Sequence, residues 1–538
     1  MAAYDYIVIG AGSAGAIVAA KLAATSGAIS VLLLEAGNAP AGNDAEFWTP
    51  SEWALLQHRS DLEWGYQSTP QSFLNDRIIP QPHAKVLGGC SGHNAMLYVR
   101  GARADYDGWA ALGCAGWDWA SVLPHFQNVE SVMTLTQATA DAFLTPLIAA
   151  AGQCGIPYNP DYNNGPSPFG AALLNFTIDP RGRRETTYSA YVSPMGAPAN
   201  LTVVTQALVR RVLFDGTRAA GVEWIDLRTS TRQTAAAGVE VILSAGAIAS
   251  PQILQLSGIG SEGDLGRFGI PMVAYLPGVG LNLQDHLYIN TLWTAAAPMP
   301  PQPYGLAGGV IFASTGLAVP ERRGPGRAIA RMDGAAAPTR GAAGGGGIAD
   351  PVVDVECSIS GGRLDGMSLP PQWQQSYLIF PNIMHFESTG FVTIQAADPA
   401  IPPLIQPNYL AMLTDMARAI AGLKIARAIG NAPALAGWRV AEELPGPAVQ
   451  TYDQLAAYIQ AEASTSFHAC GTCAMGTDEW AVVDPALRVR GVTGLRVVDA
   501  SIMPVIVSGN TAAATMMIAD KASGMILADR AIGTARPG

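Results

Sequence analysis

The chain has 538 residues, 49% hydrophobic and 14% charged, with a formal net charge of −11. Length and apolar content supply a large core and exclude a disordered chain. The acidic balance, 42 Asp and Glu against 31 Lys and Arg, excludes a general nucleic-acid binder, which needs a basic face for phosphates.

The six cysteines, at 90, 114, 154, 357, 470 and 473, are too few for a disulfide scaffold and predict a reduced, cytoplasmic protein. No Lys or Arg precedes Lys21, which speaks against a secretory signal. Tyr6-Ile7-Val8-Ile9 reads as a buried strand, and Gly10-Ala11-Gly12-Ser13-Ala14-Gly15 follows at once. Ala16 to Ala24 reads as a small-residue helix, and Ser30 to Leu34 as a second strand ending at Glu35. This is a βαβ unit with a glycine loop at its first turn. Gly10 allows the tight turn, Gly12 lets a pyrophosphate approach the backbone, and Gly15 lets the helix pack on the strand. The helix N-terminus, with Ser13 and Ala14, offers free N–H groups to the phosphates. Glu35 stands about 20 residues past Gly15, where a carboxylate can accept from a ribose diol. The expectation is a dinucleotide site, which the loop alone does not assign to FAD or NAD.

Further along, Val203-Val204, Arg210 to Phe214, Gly221 to Ile225 and Val239 to Ser244 read as strands, with a hairpin at Asp215-Gly216. Pro251 to Leu256 reads as the start of a helix. Pro298 to Pro303 is proline-rich, and Gly341 to Gly347 is nearly all Gly and Ala, so Pro320 to Asp350 is predicted to be a surface loop. No apolar run reaches membrane-spanning length; Ala512 to Ala528 comes nearest, but Asp520 and Lys521 interrupt it and predict a buried helix. Cys470 and Cys473 form a C-x-x-C without a second pair, and His58, His83, His125, His286 and His385 are scattered, so no metal site is expected. No G-x-S-x-G supports a hydrolase.

Three segments bear on chemistry: Ala84 to Asn94 with Gly88-Gly89-Cys90-Ser91-Gly92-His93-Asn94, Gly246 to Gly260, and His468-Ala469-Cys470-Gly471-Thr472 leading to Val497-Val498-Asp499-Ala500-Ser501 and Ser508-Gly509-Asn510-Thr511. Together they resemble the glucose–methanol–choline (GMC) oxidoreductases, FAD-dependent alcohol oxidases and dehydrogenases, from Tyr4 to about Leu527. Val279 to His286 looks like another recurring family segment. Cys90 and His93 depart from the usual form of the first segment.

The resemblance implies an α/β fold (α+β overall): a Rossmann-like FAD-binding domain, 1–155, 195–290 and 463–538, with an inserted substrate-binding domain on an antiparallel sheet, 156–194 and 291–462. It implies FAD contacts from Gly10, Gly12, Ser13, Ala14, Gly15, Glu35, Gly88, Gly89, Ser91, His93, Asn94, Ala95, Asp499, Ala500, Asn510 and Thr511. Oxidising a primary alcohol to an aldehyde removes a hydride, taken by flavin N5, and a hydroxyl proton, taken by a base titrating near neutrality. His468 aligns with the family's catalytic histidine. Asn510 aligns with its second active-site residue; an amide is no base, but it can hold the substrate oxygen and orient His468. Asn510 also precedes a predicted helix, Thr511 to Leu527, as an N-cap would, and that helix N-terminus favours an anionic reduced flavin. His93 resembles the flavin-linking histidine of choline oxidases, which implies covalent FAD. The electron acceptor is O2 or a quinone- or dye-like molecule.

Family choline enzymes need a carboxylate near the trimethylammonium group. Leu306 to Phe312, which corresponds to the strand that carries it, has no acid. Neutral primary alcohols are therefore expected to be better substrates than choline. Trp293, Trp373, Tyr377, Phe380, Met384 and Phe386 offer apolar surface, each as readily core as pocket. Two other readings stay open: a hydroxynitrile lyase that keeps FAD without net redox, and a non-enzymatic flavin binder. No nucleic-acid partner is expected, and no oligomeric state is read from the sequence.

Overall fold

The computed structural model describes residues 2–165, 167–318, 352–361 and 375–534. The loop expected over Pro320 to Asp350 lies outside them, as does Trp373.

The expected βαβ unit forms from the strand Ala2–Ile9, the helix Gly15–Thr25 and the strand Val31–Leu34. Its two strands pair in parallel, and Tyr6 to Ile9 and Val31 to Leu34 are buried throughout. Such continuous apolar runs suit strands covered on both faces. The helix is Ala-rich because it must pack closely; Ala16, Ile17, Val18 and Ala19 are fully buried. A mixed seven-stranded sheet grows around this unit, in the order Leu201–Val204, Val31–Leu34, Ala2–Ile9, Thr231–Leu243, Arg218–Asp226, Ala207–Asp215, with Leu495–Val497 also pairing Thr231–Leu243. The last two strands of the path form the expected hairpin, with Gly216 at φ +57°. The C-terminal helix Thr511–Thr534 covers the sheet. Its buried Asp520 accepts from Lys21, from His125 Nδ1 at 2.7 Å and from Asn128 at 3.1 Å, and Lys521 lies over the Trp117 ring. Those partners reconcile two charges with a buried helix.

The helix expected from Pro251 runs over Gly246–Leu256, with Pro251 inside it. A proline there leaves the carbonyl of Ala247 without its helical donor. Thr472 Oγ1 donates to that carbonyl at 2.6 Å. The helix therefore tolerates its proline and is tied to the segment that carries His468.

The second sheet, eight-stranded and antiparallel among the described residues, runs Arg439–Leu444, Leu292–Ala295, Ser376–Ile383, Val355–Gly361, Gly309–Ala313, Gly170–Leu173, with Leu287–Tyr288 and Ser464–Thr465 joined at one side. Alternation along its central strands gives two faces. Val355, Cys357, Ile359, Tyr377, Ile379 and Ile383 share a core with the helix Leu413–Gly430. Glu356, Ser358, Leu378, Phe380 and Asn382 occupy the alternate positions on the opposite face. Trp293 and Tyr377, considered above as pocket residues, stack on each other in the helix-side core. Of the aromatic candidates, Phe380 reaches the cavity described next. Residues 184–192, assigned above to the substrate part, lie against the glycine loops instead: Thr187 Oγ1 donates to Gly12 O at 3.2 Å, and Arg184 donates to Asn94 O at 2.6 Å. No described helix is long and apolar enough to cross a membrane.

Candidate active site

One cavity of about 300 Å³ lies between the two sheets. It is lined by Gly10, Gly12, Ser13, Ala14, Glu35, Gly89, His93, Asn94, Ala95, His468, Asp499, Ala500, Asn510 and Thr511 among the residues expected from sequence. Gly15, Gly88 and Ser91 do not line it and act one step behind. A Cβ on Gly15 would come within 1.9 Å of Gly10 O, so its bareness sets the helix–strand approach. Ser91 Oγ donates to Gly88 O at 2.6 Å and accepts from Thr187 N, which fixes the second loop. The two glycine loops meet directly: a Cβ on Gly89, whose φ is +51°, would lie 2.5 Å from Gly12 Cα. Bare backbone is thus presented to the cavity from both loops.

Glu35 is 6% exposed and accepts from Ala11 N at 3.0 Å and Gly37 N at 2.8 Å. Burial pushes its carboxyl up to about 7, against the pull of those N–H groups and of Lys85. Asp499 also lines the cavity, but its carboxylate serves the fold. It accepts from Gly246 N, at the start of the helix Gly246–Leu256, and from Ser250 Oγ and Ser501 N.

His468 follows the short strand Ser464–Thr465 and Phe467, a bulky residue at φ +65°. Such a conformation persists only where its surroundings enforce it. Here Phe467 N donates to Thr465 Oγ1, and His468 N to Asp285 Oδ1 at 2.8 Å. The Asp285 carboxylate is buried and also takes His286 N at 2.9 Å and the hydroxyls of Tyr409 and Thr465, each at 2.5 Å. Burial raises it to about 6, opposed by these four donors.

The imidazole of His468 is held at both nitrogens. Nε2 lies 3.1 Å from Asn510 Nδ2 and Nδ1 lies 3.0 Å from His286 Nδ1. An amide NH2 only donates, so His468 Nε2 carries a lone pair and Nδ1 carries the proton, which it donates to His286. Burial pushes His468 down to about 3, and burial with its histidine neighbours pushes His286 well down. Both rings are neutral at ordinary pH. Asn510 does not cap the helix Thr511–Thr534 with its side chain; its Oδ1 is buried without a hydrogen-bond partner among the described residues. His93 is 4% exposed, and neither of its ring nitrogens makes a hydrogen bond there. The donor-rich glycine cradle, the Glu35 carboxylate and these orphaned polar atoms in one cavity fit a bound dinucleotide with a reactive ring.

Cys470 and Cys473 are free, buried and pushed well up by burial, so the C-x-x-C is packing material. Sequence reasoning missed Asp285 and His286, although they end a segment singled out for its resemblance. It also missed Glu63, which stands 2.5 Å from His93 Nε2 and had no signal of its own.

Fold and cavity define a class: FAD-dependent oxidoreductases in which a dinucleotide domain faces an antiparallel sheet across a shared site. Residues 4–288 and 387–519 match the two parts of the family described as GMC oxidoreductase, and the chain belongs to that family. It is an FAD-dependent enzyme that oxidises the CH–OH group of a small alcohol. An oxygen-dependent choline dehydrogenase of Escherichia coli O139:H28 is 35% identical, over 98% of this chain and 96% of that protein. A choline dehydrogenase of Homo sapiens is 37% identical, over 97% and 89%. Among solved structures, pyridoxine 4-oxidase from Mesorbium loti superposes with TM-score 0.85 at 28% identity, over 97% of this chain and 98% of that one. The human relative is a mitochondrial protein, which overturns the cytoplasmic location expected from cysteine usage and the N-terminal segment. Free cysteines report a reducing milieu and do not distinguish one reducing compartment from another.

Proposed function

We propose that the enzyme oxidises a primary alcohol to the aldehyde with His468 as base, in a chain divided between FAD and substrate along the boundaries given above. The observation that carries this is the His468–Asn510–His286 contact set inside the glycine-lined cavity. Bound FAD supplies the hydride acceptor. Gly10, Gly12, Ser13, Ala14 and Gly89 would cradle its phosphates, and Glu35 its ribose. Asn510 Nδ2 holds the alcohol oxygen, and its unpartnered Oδ1 gives a second polar handle. The hydroxyl proton passes to His468 Nε2, whose lone pair is already turned toward Asn510. His286 accepts from Nδ1 and keeps that lone pair on Nε2, and the charge that develops is spread over two rings. Asp285 acts on the backbone, by fixing the strained turn at Phe467. O2 or a quinone-like acceptor then takes the electrons. Anaerobic mixing with a primary alcohol tests the reading: flavin absorbance bleaches if hydride is transferred and stays if the scaffold works as a lyase.

A second reading concerns substrate charge. Leu306 to Phe312 lacks an acid, but Glu356 pairs with Phe312 across the neighbouring strand. It sits behind two cavity residues: Ser358 Oγ donates to its Oε1 at 3.3 Å, and Asn382 Nδ2 to its carbonyl at 3.0 Å. Its Oε2 is buried without a hydrogen-bond partner among the described residues, and burial raises the carboxyl to about 7. A cationic alcohol would supply the missing counter-charge, in keeping with choline dehydrogenases among the relatives. Rates with choline and benzyl alcohol decide: faster choline turnover supports the cationic reading, and faster benzyl alcohol turnover supports the neutral one.

We also propose that FAD is attached covalently through His93. Its place in the cavity wall and its unpartnered ring nitrogens support this. Acid precipitation tests it: the flavin stays in the pellet if bonded, and enters the supernatant with an unmodified His93 peptide if not.

A further inference from the structure

The segment before the second glycine loop folds back on itself. Trp64 N donates to His83 O at 3.0 Å, and Lys85 N to Leu62 O at 2.6 Å. This irregular pairing delivers the Glu63 side chain to His93. Glu63 Oε2 accepts from His83 N at 2.9 Å, which fixes the carboxylate. Its other oxygen, Oε1, faces His93 Nε2 at 2.5 Å, with the two side chains 7% and 5% exposed. Those two atoms meet as an ion-pair contact without hydrogen-bond alignment to any group. A carboxylate taken this far out of water next to an imidazole is costly unless the contact is used.

We propose that Glu63 is the base that makes His93 a nucleophile toward the 8α-carbon of FAD. The inference rests on the covalent reading above. With Nε2 against Glu63, the imidazole keeps its proton there and its lone pair on Nδ1, which is buried and has no hydrogen-bond partner among the described residues. In the attachment the Nδ1–C8α bond forms. The 8α-methyl loses one hydrogen as a proton, and the bonding pair passes into the ring system of the flavin, which is reduced by two electrons. The imidazole would be left cationic by the new bond; Glu63 takes its Nε2 proton and removes that charge. Dioxygen then accepts the two electrons with two protons and leaves as hydrogen peroxide, which restores the oxidised flavin. Glu63 is needed once per chain, in maturation. It touches the imidazole edge that faces away from the attacking atom.

The test follows attachment rather than turnover. Full-length wild type, Glu63→Gln, Glu63→Asp and His93→Ala are purified with FAD, and bound flavin is divided into acid-released and pellet-retained fractions, with the rate of retention followed after adding FAD. Glu63→Gln should bind FAD but slow attachment by about 10²-fold, the scale of a lost general base. Glu63→Asp should recover part of the rate, and His93→Ala should retain no flavin. Wild type and Glu63→Gln attaching at equal rates would overturn the role of Glu63 and leave the covalent reading standing. Wild-type flavin released wholly by acid would overturn the covalent reading, and the role of Glu63 with it. If Glu63→Gln does not fold, Glu63→Asp carries the comparison: attachment at the wild-type rate overturns the proposal, and slowed attachment with FAD bound supports it.

Discussion

The two walls of the cavity are built on different principles. The dinucleotide wall is mostly backbone: two glycine loops in van der Waals contact, a helix N-terminus and one carboxylate at a strand end. The opposite wall is made of side chains such as Ser358, Phe380, Asn382 and His468, drawn from strands and turns far apart in the chain. Backbone recognition depends on local conformation, so a few glycines at fixed spacing specify it. Side-chain recognition depends on which strand lies beside which, and that is settled only when the sheet closes.

The sharpest way to break the first wall is Gly15→Ala. Its Cβ would meet Gly10 O at 1.9 Å, a backbone atom that cannot turn aside. The expected cost is roughly 3 kcal/mol or more, with loss of soluble, flavin-loaded protein. Normal yield and flavin content would show that the helix–strand contact has slack.

On the second wall, His468→Ala should keep FAD while kcat/KM falls by at least about 10²-fold. Loss of flavin together with activity would mean that His468 belongs to the cofactor wall. Asn510→Ala should cost about tenfold, the worth of one hydrogen bond of ~1.4 kcal/mol.

Burial separates the walls in pH as well. His468 is held down to about 3, so kcat/KM should stay level from pH 8 to pH 6, as far as this group decides. An unfolded histidine binds its proton near its ordinary value, while the folded one refuses it. Stability from His468 is therefore present above the unfolded value and lost as pH falls from there toward about 3. An acid limb near 6.5 that disappears in His468→Gln would contradict this.

Glu356 runs the other way. Its folded value, about 7, lies above the unfolded one, so its contribution is full at low pH and lost as pH rises to about 7. Glu356→Gln should therefore gain up to about 2 kcal/mol on wild type between pH 5 and pH 8, read from denaturant melts. No such gain would place a cation against the carboxylate.

Read along the chain alone, the βαβ unit, the glycine loop, Glu35, the hairpin at Gly216 and the pairing of His468 with Asn510 were all legible. Each is a short pattern, or a set of patterns in a recognisable order, and its physics is local: periodicity, bare backbone, turn chemistry. The helix Gly246–Leu256 was only half legible. Pro251 marks a boundary on local grounds, and Thr472, more than two hundred residues away, supplies the donor that cancels the proline's effect. The second wall was the least legible. Glu356 and Phe312 are neighbours only through strand pairing, Trp293 and Tyr377 face the helix because of the parity of their strands, and Glu63 meets His93 only because residues 62–66 fold back on 81–85. Local conformation is encoded within a few residues, where the sequence can be read directly. Long-range proximity is decided by which buried faces find each other, and only the closed tertiary structure states that.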